Sequence, residues 1–157
     1  MADTQVSSGV TSSGIVLNAG DTMEVLSGGT AVSATINSGG KETVSLGGVD
    51  SAATVNSGGT QDVFGSATSA TLSGGSEIIE SGGSSFVTFI SSGGTEIVSS
   101  GGVASATFIS SGGKEIISAG GRDGQTRISA GGEQDVFGSA QGELILSGGS
   151  QIVENGG

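Results

Sequence analysis

Short runs of alternating apolar and polar residues recur along the whole chain. Within each run an aliphatic residue stands four positions before the second glycine of a Gly-Gly or Ala-Gly pair, and Ala or Thr often stands two positions earlier. Alternation with a period of two places one face of a strand inward. The pattern therefore predicts many short strands with one buried face, and the glycine density excludes helices. The predicted inward aliphatic residues are Val44, Val55, Ile79, Ile90, Val98, Ile109, Ile117 and Ile128.

The glycine pairs recur at steps that mostly alternate between 8 and 11 residues, which gives a repeat of 19. The repeat is explicit in residues 41–59, 95–113 and 114–132. Such short strands bury their apolar face only when successive turns stack, roughly 4.8 Å apart. We therefore predict an all-β fold, a right-handed parallel β-helix (solenoid) of about eight rungs, each of roughly 19 residues. Residues 14–157 form this repeat domain, part of a longer protein, and residues 1–13 are expected to be an N-terminal tail.

A longer period is present as well. Residues 59–83 return as residues 132–157, and Gln61 and Gln134 are 73 positions apart (134 − 61). In both copies one glycine pair is reduced to a single glycine, Gly65 or Gly138, so the rung has 16 or 17 residues. We expect the neighbouring strands to shift register there and the solenoid to bend.

The composition excludes several classes of function. Gly accounts for 33 of 157 residues, Pro, Cys, Trp, Tyr and His are absent, and the net charge is −11. This charge opposes binding to nucleic acid and to anionic membranes. No stretch has the length of a membrane span, and any signal peptide lies outside this sequence. Without His or Cys, and without Ser-x-x-Lys, a catalytic nucleophile and base are missing. We predict a protein that is not an enzyme and that holds no metal or cofactor.

Acidic residues and glutamines recur at the same place in the rung, six positions before a corner glycine except in the two rungs with a single corner glycine. They are Glu42, Glu77, Glu96 and Glu115, with Gln61, Gln134 and Gln151. A cation-binding ladder and a carboxylate cluster of the kind found in polysaccharide-cleaving β-helices are two functional interpretations. The favoured interpretation is a solvated edge, where the glutamines and nearby Lys41 and Lys114 relieve repulsion between carboxylates. The Gly-Gly-x-Gly-x-Asp pattern of calcium-binding solenoids is absent.

A second row of polar residues stands one position before the inward aliphatic residue. Thr35, Thr54 and Thr71 begin the row, but Phe89, Phe108 and Arg127 continue it, so the flat Thr array of an ice-binding face is not maintained. We expect Phe89 and Phe108 to point outward on adjacent rungs beside Arg127. These three residues are candidates for a contact patch, and covering a neighbouring loop is the alternative role.

The units SGGTEIVSSGGVASATFISSGGKEIISAGG, with their Ser-Gly-Gly corners and the shortened Val-Phe-Gly-Ser-Ala rung, resemble the imperfect repeats of AIDA-type self-associating autotransporters. The resemblance implies an extracellular passenger that a C-terminal β-barrel, absent from this sequence, anchors to the outer membrane. It also implies roles in bacterial self-aggregation, biofilm formation and host-cell adhesion. The implied partners are other passenger copies, the host-cell surface and a heptosyltransferase.

The same resemblance implies that covalent heptose is added to serines that precede corner glycine pairs. The acceptor candidates are Ser27, Ser38, Ser57, Ser73, Ser81, Ser92, Ser100, Ser111 and Ser147. Ala19, Ala119 and Ala130 replace the serine at other corners. Two alternatives to an adhesin stay open at this point: a β-helical carbohydrate-active or glycan-binding protein, and a passive structural spacer.

Overall fold

The structure is a computed structural model that describes residues 1–157, and its chain winds through successive rungs of three short strands. Strands at the same place in successive rungs pair in parallel and form one nine-stranded and two eight-stranded sheets. These sheets confirm the predicted all-β parallel solenoid, with about eight rungs of roughly 19 residues. The structure contains no helix of the length and apolarity that crossing a membrane requires.

The three sheets divide the strands by their place in the rung. The first sheet contains β1 (Asp3–Val6), β4 (Thr22–Val25), β7 (Lys41–Val44), β10 (Thr60–Val63), β13 (Ser76–Ile79), β16 (Thr95–Val98), β19 (Lys114–Ile117), β22 (Glu133–Val136) and β25 (Ser150–Val153). The second contains β2 (Thr11–Ser13), β5 (Thr30–Val32), β8 (Val49–Ser51), β11 (Ser66–Thr68), β14 (Ser84–Phe86), β17 (Val103–Ser105), β20 (Arg122–Gly124) and β23 (Ser139–Gln141). The third contains β3 (Val16–Leu17), β6 (Thr35–Ile36), β9 (Thr54–Asn56), β12 (Thr71–Ser73), β15 (Phe89–Ser91), β18 (Phe108–Ile109), β21 (Arg127–Ile128) and β24 (Leu144–Ile145).

Each full rung has three corners, and only two of them carry the glycine pairs. In the rung at 41–59, the first corner follows β7 at residues 45–48 and the second follows β9 at residues 57–59. The third corner lies between β8 and β9, where Ala52 has a φ of 61°. Glycine is not required there, so the glycine spacing predicts only two of the three corners. The same left-handed conformation occurs at Ser33, Ser69, Val87, Ala106 and Gln125.

The two glycines of a corner are needed for different reasons. Gly58 has a φ of 76°, and this left-handed conformation costs a residue with a side chain roughly 1–2 kcal/mol. Gly59 is limited by space instead, because a Cβ atom there would lie 2.5 Å from the carbonyl oxygen of Ile36 in the preceding rung. The first glycine therefore allows the turn, and the second allows the rungs to stack closely.

The apolar core follows the rod as two rows of aliphatic side chains. One row comes from the fourth residue of the first-sheet strands and the other from the second residue of the third-sheet strands. Burying each such side chain contributes roughly 1.5–3 kcal/mol relative to exposure. All eight aliphatic residues predicted to face inward are buried, which confirms the alternation. The rows include Val25, Val44, Val63, Ile79, Val98, Ile117 and Val136, and Leu17, Ile36, Val55, Leu72, Ile90, Ile109 and Ile128.

The solenoid begins earlier than the predicted boundary at Gly14. β1 pairs along its whole length with β4, from Asp3 opposite Thr22 onward. β2 pairs with β5 in the same way. The expected tail at residues 1–13 is therefore wrong, because Val6 already fills the inward position of a rung. The first corner carries Ser8-Gly9-Val10 instead of a glycine pair, and the glycine spacing overlooks it.

The short rungs lose residues from corners and keep their strands in register. Thr60 pairs with Ser76, a step of 16 residues (76 − 60), and Glu133 pairs with Ser150, a step of 17 (150 − 133). At the short first corner the amide groups of Phe64 and Gly65 both donate to the carbonyl oxygen of Val44, at 2.8 and 2.9 Å. The three sheets run unbroken through both short rungs, so the expected register shift is wrong.

Candidate functional site

The serines predicted as acceptors all lie on the outer surface of the rod, and all nine are exposed. Three lie in turns at the first corner: Ser27, Ser81 and Ser100. Five lie in turns at the second corner: Ser38, Ser57, Ser92, Ser111 and Ser147. Ser73 differs, because it is the last residue of β12 and pairs with Asn56 and Ser91. The structure thus arranges eight of the nine serines in two corner rows along the rod.

Most of the corner serines stand next to a glycine of the following rung. A Cβ atom added at Gly47 would fall 2.7 Å from Ser27 Oγ. Because glycine places no side chain there, the hydroxyl group of the serine stays uncovered. A Cβ atom added at Gly28 would likewise fall 2.6 Å from Ser8 Oγ. Ser8 is an exposed turn residue in the first-corner row, and the Gly-Gly motif missed it because a single glycine follows it.

Phe89 and Phe108 point outward on adjacent rungs. Their side chains keep 44% and 38% of their exposure, and the rings stack with centroids 5.1 Å apart at an interplanar angle of 15°. Phe108 pairs with Arg127 on the next rung, which is also exposed. The three candidate contact residues therefore form one continuous patch. Because the rings face each other along the rod, the patch presents mainly ring edges to solvent.

The second residue of most first-sheet strands is polar and faces inward. We call this row the inner column; it consists of Glu42, Gln61, Glu77, Glu96, Glu115, Gln134 and Gln151. All of them except Gln151 are fully buried. The solvated edge predicted for these residues is therefore wrong. Glu42 and Val44 are two positions apart on one strand and must share a face, so the alternation that buries the valine also buries the acid.

A first buried cluster forms where Asp50 of the second sheet meets the inner column. Gln61 Nε2 donates to Glu42 Oε2 and to Asp50 Oδ2, both at 3.0 Å. The remaining oxygen of each side chain (Glu42 Oε1, Asp50 Oδ1 and Gln61 Oε1) is buried without a hydrogen-bond partner. One amide group thus joins two carboxyl groups that receive no positive charge.

A second buried cluster repeats the first one 73 positions later. Glu115, Asp123 and Gln134 follow Glu42, Asp50 and Gln61 by 73 each (115 − 42, 123 − 50, 134 − 61). Gln134 Nε2 donates to Glu115 Oε2 and Asp123 Oδ2, both at 2.9 Å. Glu115 Oε1 and Asp123 Oδ1 again have no partner. The long repeat therefore preserves the interior chemistry as well as the short corner.

Between the two clusters, hydroxyl groups satisfy the buried acids. Ser85 Oγ donates to Glu77 Oε1 at 3.2 Å. Thr88 Oγ1 donates to Glu96 Oε1 at 2.9 Å, and Thr107 Oγ1 donates to Glu96 Oε2 at 3.0 Å. All of these donors are neutral, so hydrogen bonding here does not balance the charge of an ionised carboxylate.

The basic side chains do not reach the interior. Lys41 Nζ lies 2.6 Å from Asp62 Oδ2 on the outer face. Lys114 Nζ lies 2.8 Å from Glu133 Oε1 and 2.7 Å from Asp135 Oδ2. Arg122 and Arg127 are exposed on other outer positions. The buried acids therefore have no basic counterion.

Burial raises the pKa of the buried carboxyl groups. It raises the pKa of Glu42 to about 9, with a further contribution from the charge of Asp50, and that of Glu77 to about 7. For Glu96, burial and then the charge of Glu77 raise the pKa well above its usual range. For Glu115, burial and then the charge of Glu96 do the same. At these positions the charge of a neighbouring carboxylate therefore adds to the effect of burial.

Three further carboxyl groups near the column share this behaviour. Burial raises the pKa of Asp50 to about 6 and also raises that of Asp123. It raises the pKa of half-buried Glu143 to about 7, and the charge of Asp123 contributes as well. Hydrogen bonds from neutral groups only partly oppose the increase. The interior of the folded rod thus favours neutral carboxyl groups.

The inner column and the surface depressions differ in their access to solvent. The Glu side chains of the inner column are fully buried, out of reach of a substrate. No group of three or more acidic, His or Cys side chains is placed to hold a metal ion. The larger of two surface depressions, about 410 Å³, is lined by Arg122, Asp123, Ser139 and Gln141. Its walls are polar, and no aromatic side chain stands beside Asp123 to hold a sugar ring.

Comparisons with known proteins agree with the geometry. No protein-family model matches the chain. No curated protein matches it either. Among solved structures, the chain is similar to a TibA fragment whose crystal structure was determined in a form hyper-glycosylated through catalysis by TibC. The sequences are 35% identical, the TM-score is 0.87, and the match covers 97% of this chain.

The match extends over 64% of the TibA fragment, so this chain spans just under two thirds of its length. The 19-residue rungs, the three parallel sheets and the sequence identity together confirm the resemblance that the repeats predict. The chain is a parallel β-solenoid that resembles the AIDA/TibA type of passenger.

Proposed function

We propose that this solenoid is part of an adhesin passenger displayed outside the outer membrane, where it mediates bacterial self-aggregation, biofilm formation and host-cell adhesion without catalysis. The likeness to the TibA passenger supports an extracellular location. A stiff rod with repeated faces supports this role, because many weak contacts along it add to a strong one. The exposed patch of Phe89, Phe108 and Arg127 is the proposed site of such contacts with another passenger or a host surface.

We also propose that a dedicated heptosyltransferase attaches heptose to the corner serines. The observation that carries this proposal is the arrangement of eight predicted acceptors in exposed turns beside glycine. A glycosyltransferase needs an approachable hydroxyl group, and turns provide it better than strands, whose backbone is paired on both sides. The match to a solenoid that TibC glycosylates supports the same chemistry here.

The test is the intact mass of this chain after expression with and without TibC. We expect mass increments of whole heptose units only with the enzyme, and peptide mapping should place them on the turn serines. We expect Ser73, the last residue of β12, to be modified less than Ser57 and Ser92. An unchanged mass, or sugars spread equally over serines inside strands, would contradict the proposal.

A gain-of-site variant gives the matched control. Ala119 occupies the first-corner position that Ser100 holds one rung earlier, beside Gly120 and Gly121. Ala119→Ser should therefore add one heptose, whereas Ala104→Ser, at a buried position of β17, should add none. Failure of Ala119→Ser to gain mass would show that the corner geometry is not what the enzyme recognises.

Adhesion is distinguished from passive spacing by exchange of the rod. Cells that display the passenger should aggregate and settle faster than cells that display an unrelated rod of equal length. Equal settling rates would favour a spacer.

Phe108→Ala should slow settling if the aromatic patch is a contact site, and Val49→Ala, at another exposed position, is the control.

A further inference from the structure

The interior of the rod contains seven carboxyl groups and no basic group. From the first sheet Glu42, Glu77, Glu96 and Glu115 face inward, from the second sheet Asp50 and Asp123, and from the segment before β24 Glu143. The third-sheet side otherwise contributes Thr88, Thr107 and Thr126, which are neutral. All four Lys and Arg residues lie outside this space.

The sequence itself indicates which charge state the inner column accepts. Gln61 and Gln134 occupy the same column positions as the glutamates and are equally buried. A Gln side chain has nearly the shape of a protonated Glu and, like it, both donates and accepts hydrogen bonds. The column is thus built for neutral side chains.

The unpartnered oxygens lead to the same conclusion. Glu42 Oε1 and Asp50 Oδ1 are buried without any donor, as are Glu115 Oε1 and Asp123 Oδ1. An ionised carboxylate in that position loses its hydration, and the hydrogen bond that the neutral amide of Gln61 or Gln134 donates to its other oxygen replaces that hydration only in part. A proton on each carboxyl group removes its charge and turns one of its oxygens into a donor.

We propose that this solenoid folds by taking up protons, so that its inward carboxyl groups are neutral in the folded rod and alkaline conditions loosen the rungs that contain them. The proposal concerns the interior only, and it holds whether or not the corner serines carry sugar. It predicts that the free energy of unfolding of the rod is greatest in acid.

The direction of the pH dependence follows from the two states. In the unfolded chain these carboxyl groups have a pKa of about 4. In the folded rod the pKa is raised, to about 7 for Glu77 and about 9 for Glu42, mainly by burial. The stabilising contribution is therefore complete below about pH 4 and is lost as the pH rises through about 7 to 9.

The test is urea unfolding of the whole chain, followed by circular dichroism between pH 4 and pH 10. Each proton taken up on folding changes the folding equilibrium constant about tenfold per pH unit. We expect about a hundredfold loss or more per pH unit between pH 6 and pH 8, because at least two carboxyl groups are involved. Stability that is flat, or that rises with pH, would overturn the proposal.

Variants of the column locate the effect. Glu96→Gln should preserve folding and reduce the pH dependence by about one proton, because glutamine already fits this column. The double variant Glu42→Gln, Glu115→Gln should reduce the pH dependence of the stability further and keep the rod folded at pH 9. Glu80→Gln and Glu154→Gln, outside the interior, should leave the slope unchanged. If the interior and exterior variants behave alike, the interior acids are not the cause.

Two direct measurements test whether protons, and not another ligand such as a cation, neutralise the interior carboxyl groups. Refolding from urea in weakly buffered solution at pH 6.5 should raise the pH, and infrared spectra should contain the band of protonated carboxyl groups, weaker in Glu96→Gln. Calcium and EDTA should not move the unfolding midpoint. A midpoint that follows calcium instead of pH would overturn the proposal and indicate a cation in the interior.

Discussion

Val87 holds a backbone conformation that β-branched residues rarely adopt. Its φ is 63°, in the left-handed region, at the third corner between β14 and β15. This region costs an ordinary residue roughly 1–2 kcal/mol, whereas Asn is among the side chains that tolerate it best. Val87→Asn should therefore stabilise the solenoid by about 1 kcal/mol in urea unfolding.

Val103 is the control position for this prediction, because the same substitution there should have the opposite effect on stability. It is an exposed Val at the start of β17, where an extended backbone favours β-branched residues. Val103→Asn should destabilise the protein by a few tenths of a kcal/mol, and at most about 1 kcal/mol. If Val87→Asn destabilises the rod as well, then packing of the Val87 side chain outweighs its backbone strain.

At the same scale, the side chains on the inward face could be predicted only in part. Alternation places Val44 inside correctly, and it places Glu42 inside with equal certainty because both belong to β7. Considered alone, the charge of Glu42 favours exposure to solvent. This preference predicts a solvated edge at Glu42 and its equivalents. The structure buries the acid because its backbone position is fixed by the strand, while its charge is adjustable by protonation.

The corners are the elements whose glycines were predicted best. The Gly-Gly spacing predicts two corners per rung and the serines beside them. The third corner could not be predicted, since Ala52 and its equivalents turn the chain with varied side chains. The Ser-Gly-Gly motif predicts that Ser73 is a turn serine, but the short corner places it at the end of β12. Sequence motifs thus identify the corner chemistry, whereas strand pairing decides which residues protrude.

A short corner leaves no room for a side chain at its glycine. A Cβ atom at Gly65 would overlap the carbonyl oxygens of Gly48 and Ser45 and lie 3.1 Å from Val44 Cγ1. Forcing an extra methyl group into a packed site costs roughly 1–3 kcal/mol. Gly65→Ala should therefore lower the free energy of unfolding by about 2 kcal/mol or more, as measured in urea.

Gly124 is the matched control for this change. It lies in β20, has no left-handed φ, and a Cβ atom there would meet only the carbonyl oxygen of Gln141, at 3.7 Å. Gly124→Ala should be neutral or stabilise by about 0.4–1 kcal/mol, because alanine restricts the unfolded chain. Equal losses for both variants would mean that general glycine flexibility, not stacking at the short corner, sets the cost.

At the scale of the whole molecule, the composition overstates the charge that the rod presents to its surroundings. The formal value of −11 counts all 15 acidic residues. Seven of them face the interior, and the net charge becomes −4 (−11 + 7) when all seven are protonated. At pH 7, where the pKa of Asp50 is about 6 and those of Glu77 and Glu143 are about 7, the folded rod lies between these two charges. Repulsion between two copies of the rod falls with this reduction, which favours the self-association proposed above.

Electrophoretic mobility at about pH 5.5 tests this difference, because a carboxyl group in an unfolded chain has a pKa of about 4 and is ionised there. Folded protein should move as a particle with a charge near −4, and the same chain unfolded in urea should move as one close to −11, after correction for size. The variant Glu42→Gln, Glu96→Gln, Glu115→Gln should keep the folded mobility of the wild type, because it replaces groups that are already neutral. Glu80→Gln with Glu154→Gln should reduce the mobility by two charges. If the three interior replacements reduce the folded mobility as the exterior pair does, the interior acids are ionised, and long-range repulsion then opposes the self-association proposed for the passenger.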